Sequence, residues 1–385
     1  MQKIAVGIDI GTHATRVVVC ERDKTSSTLV VLGTGYAEAR GMHHGYIVTK
    51  AEAAASIEKA VKEAEKSAGI KIKRATIALG GIGLSSEYAI GSAIITRADG
   101  VITTLDIEKA VTEAEGNVEL KNKTIIDAHP VGFKIDGKEV PGRPEGVKGL
   151  KLEVKVLFIT SFSQHLDDML DVMQAVGVQV DRIVATPLAA SKFVLTDLQR
   201  NFGCALVDIG AETVSVAVFE NNTITSLHVF GLGSLDITKD IALGLRISPE
   251  EAENVKVGAV AFQTFSKKKL DEIIEARLSD IFELIDKYLK KIGRSGLLPA
   301  GAIIIGGGSQ MALVETVAKA LLRIPAKHGY ADIPGVKAPI SDQRFLTAYG
   351  STLFGKEHSA NDITAPAGIK GILKSIGQFL KQFAP

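Results

Sequence analysis

The chain has 385 residues, 46% hydrophobic and 23% charged, with 45 Lys and Arg against 44 Asp and Glu. That length predicts two or three domains with sizeable cores, and a net charge of +1 excludes the general basic field of a nucleic-acid protein. Cys20 and Cys204, the two cysteines, each lie in an apolar β-like run, which excludes a disulfide scaffold or paired-cysteine zinc site and fits a reducing cytoplasm. No run of about 18 apolar residues predicts a membrane-spanning helix. MQKIAVGIDIG lacks the basic start and long apolar stretch of a signal peptide. His43 and His44 adjoin without a carboxylate or cysteine at ligand spacing, so they read as solvated or packed side chains rather than metal ligands.

In chain order, IAVGIDIG, TRVVVCER and TLVVLGTG read as strands, rich in Val and Ile and bounded by Gly, Ser and Asp. Residues 50–68 switch to helical period, with Ala54, Ile57, Ala60, Val61, Ala64 and Ala68 on one stripe and Gly69 as the stop. The strand RATIALGG follows. Residues 83–160 read as a separate small α+β unit, with the strand-like SSEYAIGSAIITR, a helix over 105–115 and further strands. A helix over 163–176, the strand VDRIVAT and a helix near 187–199 lead to a second strand–turn–strand unit, CALVDIGAETVSVAVFENNTITSL. Helices are predicted over 234–245, 249–257, 268–292 and 309–322, the last preceded by the strand-to-glycine run AIIIGGGSQ.

The chemistry sits in repeated pieces. VGIDIGTHATRVVV at 6–19 and LVDIGAETVSVAV at 206–218 share one design: Asp9 or Asp208 at a strand end, Gly11 or Gly210 two residues on, and Thr12 or Thr213 in the turn back. Such turns offer backbone N–H groups and hydroxyls to a polyphosphate, and each Asp can hold a metal-bound water. One such hairpin alone reads better as an ordinary glycine turn; two of them, about 200 residues apart, predict a facing pair that grips a nucleotide. Gly306, Gly307, Gly308 and Ser309 complete the set, where a buried strand meets a helix and the backbone can approach a ligand without Cβ interference. With no Lys after the glycines, this is not a Walker loop.

Hairpin, hairpin, then strand–GGG–helix: this order is similar to the actin, hexokinase and heat-shock chaperone superfamily. TPLAASKFVL at 186–195 and QRFLTAYGSTLFG at 343–355 look like its two helices crossing between lobes. Within the superfamily the chain most resembles the bacterial cell-division family FtsA, from residue 4 to about 355, through GYIVTKAEAAASIEKAVKEAEKSAGIKI, the insert, VDRIVATPLAASKFVL, VDIGAET, SLDITKDIALGLRISPEEAENVK and IIEARLSDIFELI. The position of the insert sets this family apart from actin and its bacterial filament relatives.

The resemblance implies an α/β, two-lobed actin-like ATPase fold. The expected organisation is a first lobe over 1–82 and 161–200, an inserted α+β subdomain over 83–160, and a second lobe over 201–337. A return helix over 338–356, a linker over 357–367 and an amphipathic membrane-targeting helix over 368–385 follow. It implies ATP with Mg2+ in the cleft, with Asp9 and Asp208 near the metal through water as the catalytic pair. Gly11, Thr12, His13, Arg16, Gly210, Ala211, Glu212 and Thr213 would surround the phosphates, and Glu253 and Lys256 would lie near ribose and adenine. Ala211 and Glu212 stand where the family usually has Gly-Gly, and Ala14 where Lys is common. A carboxylate beside a γ-phosphate repels it unless turned away or bridged by Mg2+, so binding survives this departure better than hydrolysis, and ATPase activity is expected to be weak at most.

In the tail, Ile369, Ile372, Leu373, Ile376, Phe379, Leu380 and Phe383 recur at helical spacing, with Lys370, Lys374 and Lys381 on the other positions. That stripe reads as a helix lying in an anionic lipid interface, or as one docked on the protein's own core. The resemblance favours the membrane and implies filament assembly, binding of the acidic FtsZ tail by the second lobe, and contact with later division proteins, at the cytoplasmic face of the inner membrane at the septum. On the helix LDEIIEARLSDIFELIDKYLKK, Ile273, Ile274, Leu278, Ile281 and Leu284 are expected inward, leaving Arg277 and Lys290 for the FtsZ peptide. Alternatives are a pilus-assembly platform of the PilM type and a small-molecule kinase of the same superfamily.

Overall fold

The computed structural model describes residues 3–22, 29–259, 266–330, 343–355 and 358–359. The expected terminal helix with its Ile, Leu, Phe and Lys positions lies outside the described residues.

The first lobe opens with the meander β1 (Lys3–Ile10), β2 (Ala14–Arg22) and β3 (Leu29–Glu38), followed by the small pair β4 (Met42–His43) and β5 (Tyr46–Ile47), helix α1 (Lys50–Ala68) and β6 (Arg74–Leu79). Helix α1 begins and ends where its period predicts, and Gly69 closes it in the left-handed conformation at φ 69°. Its buried stripe is Ala53, Ser56, Ile57, Ala60, Val61 and Ala64. The insert comprises β7 (Ser85–Ile94), α2 (Thr104–Gly116), β8 (Lys123–Ile135), β9 (Lys138–Val140) and β10 (Lys151–Phe162). The chain then returns through α3 (Ser163–Val176), β11 (Gln179–Ala185), α4 (Thr186–Val194) and α5 (Asp197–Phe202).

The single helix expected near 187–199 is two. Leu195 is extended (φ −102°, ψ 128°), and the Thr196 hydroxyl accepts the Gln199 N–H at 3.2 Å to start a new helix. The second lobe contains β12 (Cys204–Ile209), β13 (Val214–Glu220), β14 (Thr223–Phe230), α6 (Ser234–Leu245), α7 (Pro249–Lys256), α8 (Lys267–Lys291), β15 (Ala302–Ile305), α9 (Val314–Leu322) and β16 (Ala326–His328). Helix α9 starts at Val314, not near Ser309: residues Gly307–Gln310 form a 3-10 turn instead, and Met311 after it is extended. Finally α10 (Leu346–Thr352) crosses back, and β17 (His358–Ser359), inside the expected linker, pairs with β1 through Lys3 and Ser359.

The first-lobe sheet runs β11-β6-β1-β2-β3, with β1 parallel to β6 and antiparallel to β2. The second-lobe sheet runs β16-β15-β12-β13-β14 and continues without a break into the insert as β7-β10-β8-β9. The junction is narrow, one register pair between His228 and Ser85, reinforced where Ser86 Oγ accepts the Leu227 N–H at 2.8 Å and the Tyr88 hydroxyl donates to Thr225 O. An insert threaded through the first lobe is therefore hydrogen-bonded to the second.

Two helices join the lobes. On α10, Gly350 packs so tightly on α4 that a Cβ there would lie 2.0 Å from Ala189 O, and Gly7 of β1 takes the other side of α10, 2.0 Å from Ala348 O by the same measure. Among the described helices none is long and apolar enough to cross a membrane. Gly350→Ala should force α4 and α10 apart and destabilise by about 1–3 kcal/mol, read as a lower urea midpoint at unchanged slope; an unchanged midpoint would show that the crossing tolerates separation.

Candidate functional site

The two D-I-G hairpins close with the same turn. The Gly11 N–H donates to Ala14 O at 3.1 Å, and the Gly210 N–H to Thr213 O at 2.9 Å. This geometry matches Ala14 with Thr213 and Thr12 with Ala211, so the two threonines occupy different places in their turns. Asp9 is paired across the sheet with Arg16, and Asp208 with Ser215.

Both aspartates are half-buried, the Asp9 side chain 13% exposed. The Arg16 guanidinium reaches Asp9 Oδ2 only at 3.6 Å, and Arg16 Nε has no acceptor among the described residues. Burial raises Asp9 above the ordinary carboxylate range despite that guanidinium. Burial first, and then the charge of Asp9, push Asp208 up to about 7. The two carboxylates thus lie close enough to repel one another, with the Arg16 guanidinium acting on both.

The glycine run lies against Asp208. A Cβ on Gly306, which has φ 88°, would fall 2.3 Å from Asp208 Oδ1, and one on Gly308 would fall 2.4 Å from the Ile209 side chain. Gly307 has open space there. Ser309, expected beside the ligand, is buried and donates its hydroxyl to Gly306 O at 2.8 Å, so it fixes the loop.

Lys256 and Glu253 come together on α7. The Lys256 ammonium is buried and donates to Ser234 O at 3.1 Å, Thr238 Oγ1 at 2.8 Å and Glu253 Oε2 at 2.7 Å, pinning α7 to the start of α6. Burial opposes ionisation of Glu253, but Lys256, Thr238 and the more distant His13 hold its carboxyl below the usual range. That influence of His13 places α7 within electrostatic reach of the first hairpin.

Glu212 is turned away from the turn's mouth. Its carboxylate accepts the His44 backbone N–H at 2.6 Å and meets His43 Nδ1 at 3.2 Å, so the adjoining histidines do have a carboxylate partner, supplied by the other lobe. The corresponding sequence separation of 168 residues gives no local signal of that contact.

On α8 the buried positions are Leu270, Ile274, Leu278, Ile281, Phe282, Ile285, Asp286 and Leu289, while Ile273 and the expected Leu284 are only half-buried. Arg277 forms a two-pronged pair with Asp240 of α6 (Nε to Oδ2 2.6 Å, Nη2 to Oδ1 3.1 Å), and Lys290 pairs with Asp286 at 2.7 Å.

The site fits a cation-bound polyphosphate on its own chemistry: two half-buried carboxylates in excess of one guanidinium, two partly exposed hairpin turns, and a glycine passage alongside Asp208. Among the described residues no group of three or more His, Cys, Asp or Glu side chains is placed to hold a metal ion. A cation at Asp9 and Asp208 would therefore complete its shell from water and phosphate oxygens.

Two sheet-based lobes joined by crossing helices, with paired hairpins and a glycine loop converging between them, define an actin-like fold. Residues 205–350 match the sequence model of the cell division protein FtsA, and residues 83–160 match that of the SHS2 domain inserted in FtsA. The cell division protein FtsA of Bacillus subtilis (strain 168) is 30% identical over 373 residues, spanning 91% of this chain and 83% of that relative. Among solved structures, the PilM-PilN type IV pilus biogenesis complex matches with TM-score 0.68 at 18% identity, over 91% of this chain and 98% of that one. MreB5 of Spiroplasma citri, solved bound to ADP, matches with TM-score 0.54 at 11% identity, over 91% and 95%. The structural likenesses establish the shared fold. The chain belongs to the FtsA family of cell-division proteins.

Asp208 has a folded-state pKa near 7 against an unfolded value of 3.8. The folded protein without bound cation then binds the extra proton, so its stability should fall as pH rises from about 4 to about 7 and level off above that. Asp208→Asn should flatten this slope in urea titrations and abolish any stabilisation by Mg-ATP; a retained slope together with retained Mg-ATP stabilisation would remove Asp208 from the site.

Proposed function

We propose that this protein binds ATP with Mg2+ in the interlobe cleft, assembles into filaments, and tethers FtsZ to the cytoplasmic face of the inner membrane at the septum, where it recruits later division proteins. The observation that carries the nucleotide reading is the convergence of two identically closed hairpins on the half-buried Asp9–Asp208 pair. Gly11, Thr12, His13, Arg16, Gly210, Ala211, Thr213 and Gly307 would line the phosphates, with Glu253 on the ribose side. Lys256 would act there by holding α7, since its three donors already have acceptors. MreB5 of Spiroplasma citri, a protein of the same fold solved bound to ADP, supports a nucleotide ligand. Hydrolysis, if any, would be slow, and membership of the FtsA family supports the division role over the pilus-platform and kinase readings.

Membrane attachment rests on the sequence stripe at 368–384, where seven large apolar residues outweigh three lysines. Burying each Leu, Ile or Phe contributes roughly 1.5–3 kcal/mol, against about 1 kcal/mol for a lysine at an anionic surface. Full-length protein should sediment with anionic liposomes and carry purified FtsZ with it. A chain ending at Ala365, or one with Phe379→Glu and Leu380→Glu, should stay in the supernatant and still bind ATP. Sedimentation of the double variant would place the anchor elsewhere.

For FtsZ, Arg277 is the candidate contact, its side chain 31% exposed beside Asp240. Arg277→Ala and Asp240→Ala break the same ion pair, but only the first removes the guanidinium. Calorimetry should show weaker FtsZ-tail binding for Arg277→Ala and equal or tighter binding for Asp240→Ala; equal loss in both would make the pair structural.

A further inference from the structure

The turn between β4 and β5 touches both phosphate hairpins. Met42 pairs with Ile47 and His43 with Tyr46, leaving His44 and Gly45 as the two turn residues, with φ 48° and 82°. Positive φ at both positions is the tightest way to join two strands, and histidine is one of the few non-glycine residues that tolerates it. The turn is seated in the first lobe: His44 O accepts the Ile82 N–H at 3.3 Å, and a Cβ on Gly45 would fall 2.5 Å from the Gly81 Cα.

From there it reaches in two directions. The Gly45 N–H donates to Thr12 Oγ1 at 3.0 Å. The threonine hydroxyl accepts in that bond, which leaves its own proton to be donated elsewhere. On the opposite side, Glu212 Oε2 accepts the His44 N–H at 2.6 Å and meets His43 Nδ1 at 3.2 Å, while His44 Nδ1 lies 2.9 Å from Glu212 O. A carbonyl only accepts, so Nδ1 of His44 carries a proton in this contact. Glu212 is in turn fixed to α6, whose Ser234 and Leu235 N–H groups donate to Gly210 O at 2.9 Å and Ala211 O at 2.8 Å.

We propose that Glu212 and the His43–His44–Gly45 turn form an interlobe latch that positions both phosphate turns and slows release of a bound nucleoside diphosphate or triphosphate. This rests on the nucleotide reading above and adds a role for residues outside the D-I-G hairpins. Separating the lobes at the phosphate end requires breaking three contacts to one glutamate, two of them involving its carboxylate. The Gly45 bond to Thr12 stays within the first lobe, so the latch ties the second-lobe turn to a turn that already orients Thr12. The residue that departs from the family's glycine pair thus serves to close the cleft rather than to meet phosphate, and these are positioning residues.

The test is the dissociation rate of a fluorescent ADP from full-length protein with Mg2+, chased by excess ATP in a stopped-flow instrument. Glu212→Ala, and His43→Ala with His44→Ala, should each release ADP about tenfold faster than wild type. Glu212→Gln keeps an oxygen for the His44 N–H and should stay within about threefold, a rescue that a purely structural defect would not give. Glu212→Ala removes both carboxylate contacts and the histidine changes remove both ring contacts, sharing the His43 pair, so the combination should fall short of the product of the two effects. Should Glu212→Ala not fold, His43→Ala, at a side chain 61% exposed, should still speed release about threefold. Release within twofold of wild type in the alanine variants, or multiplying effects in the combination, overturns the latch while leaving nucleotide binding intact. No ADP binding by wild type overturns the nucleotide reading and the latch with it.

Discussion

The placement of Asp9 and Asp208 at facing strand ends is the constraint around which the cleft is arranged. Ionised carboxylates buried with too few counter-charges are costly, and here one guanidinium at 3.6 Å must serve both. The fold keeps them there through backbone geometry: two strands end at matched turns, and a glycine loop passes alongside Asp208 where any side chain would collide. Neither aspartate gains an evident structural benefit from this position. Uncompensated charge held by rigid elements marks a site awaiting a charged ligand, whereas a structural pair such as Arg74 with Asp181 sets a guanidinium directly against a carboxylate at 2.6 Å.

The crossing helices determine how that cleft can move. α4 and α10 meet backbone to backbone at Gly350, and α10 also rests on β1 at Gly7, so the strand carrying Asp9 is braced by the element that joins the lobes. The insert adds a second tie, because β7 extends the second-lobe sheet at β14 while its chain ends emerge from the first lobe. A single register pair with a few side-chain bonds is a weak joint compared with the full ladders on either side. Rotation between lobes would concentrate there, at the crossing helices, and at the contacts of Glu212.

Elements with strong period were legible in the sequence. Helices α1, α3 and α6 run as predicted because each has one apolar face and definite end signals, and the paired hairpins stand out because Asp, Gly and Thr recur in β-rich surroundings. What was not legible depended on distant partners. Nothing local marks Ser85 as a neighbour of His228, or His43 and His44 as partners of Glu212, since pairing across more than a hundred residues follows from how the lobes dock. The helix break at Leu195 could have been found, because Thr196 and Gln199 make a capping box that the apolar period obscured. On α8, the expected inward stripe selected Leu284, whereas Ile285 faces the core: with Phe282 and Leu289 also apolar, two adjacent stripes compete and packing chooses between them.

The charges of α8 show why a basic residue on a helix is not by itself a docking point. Lys290 pairs with Asp286, which also accepts Ser295 Oγ at 2.6 Å and has Arg323 at 3.5 Å, so two cations and a hydroxyl surround one largely buried carboxylate. Burial alone would raise Asp286, yet these partners hold it below the usual range, and removing Lys290 would weaken that small network as well as any surface it presents. Arg277 differs because its guanidinium is gripped by carboxylates from two directions, Asp240 on α6 and Asp280 one turn along α8. An incoming acidic peptide would have to displace or bridge those carboxylates, whose repulsion opposes it. Affinity at such a position therefore comes as much from apolar contacts around the ion pair as from the charge, and the half-buried Ile273, packed at the edge of the second-lobe core, supplies an apolar surface next to it.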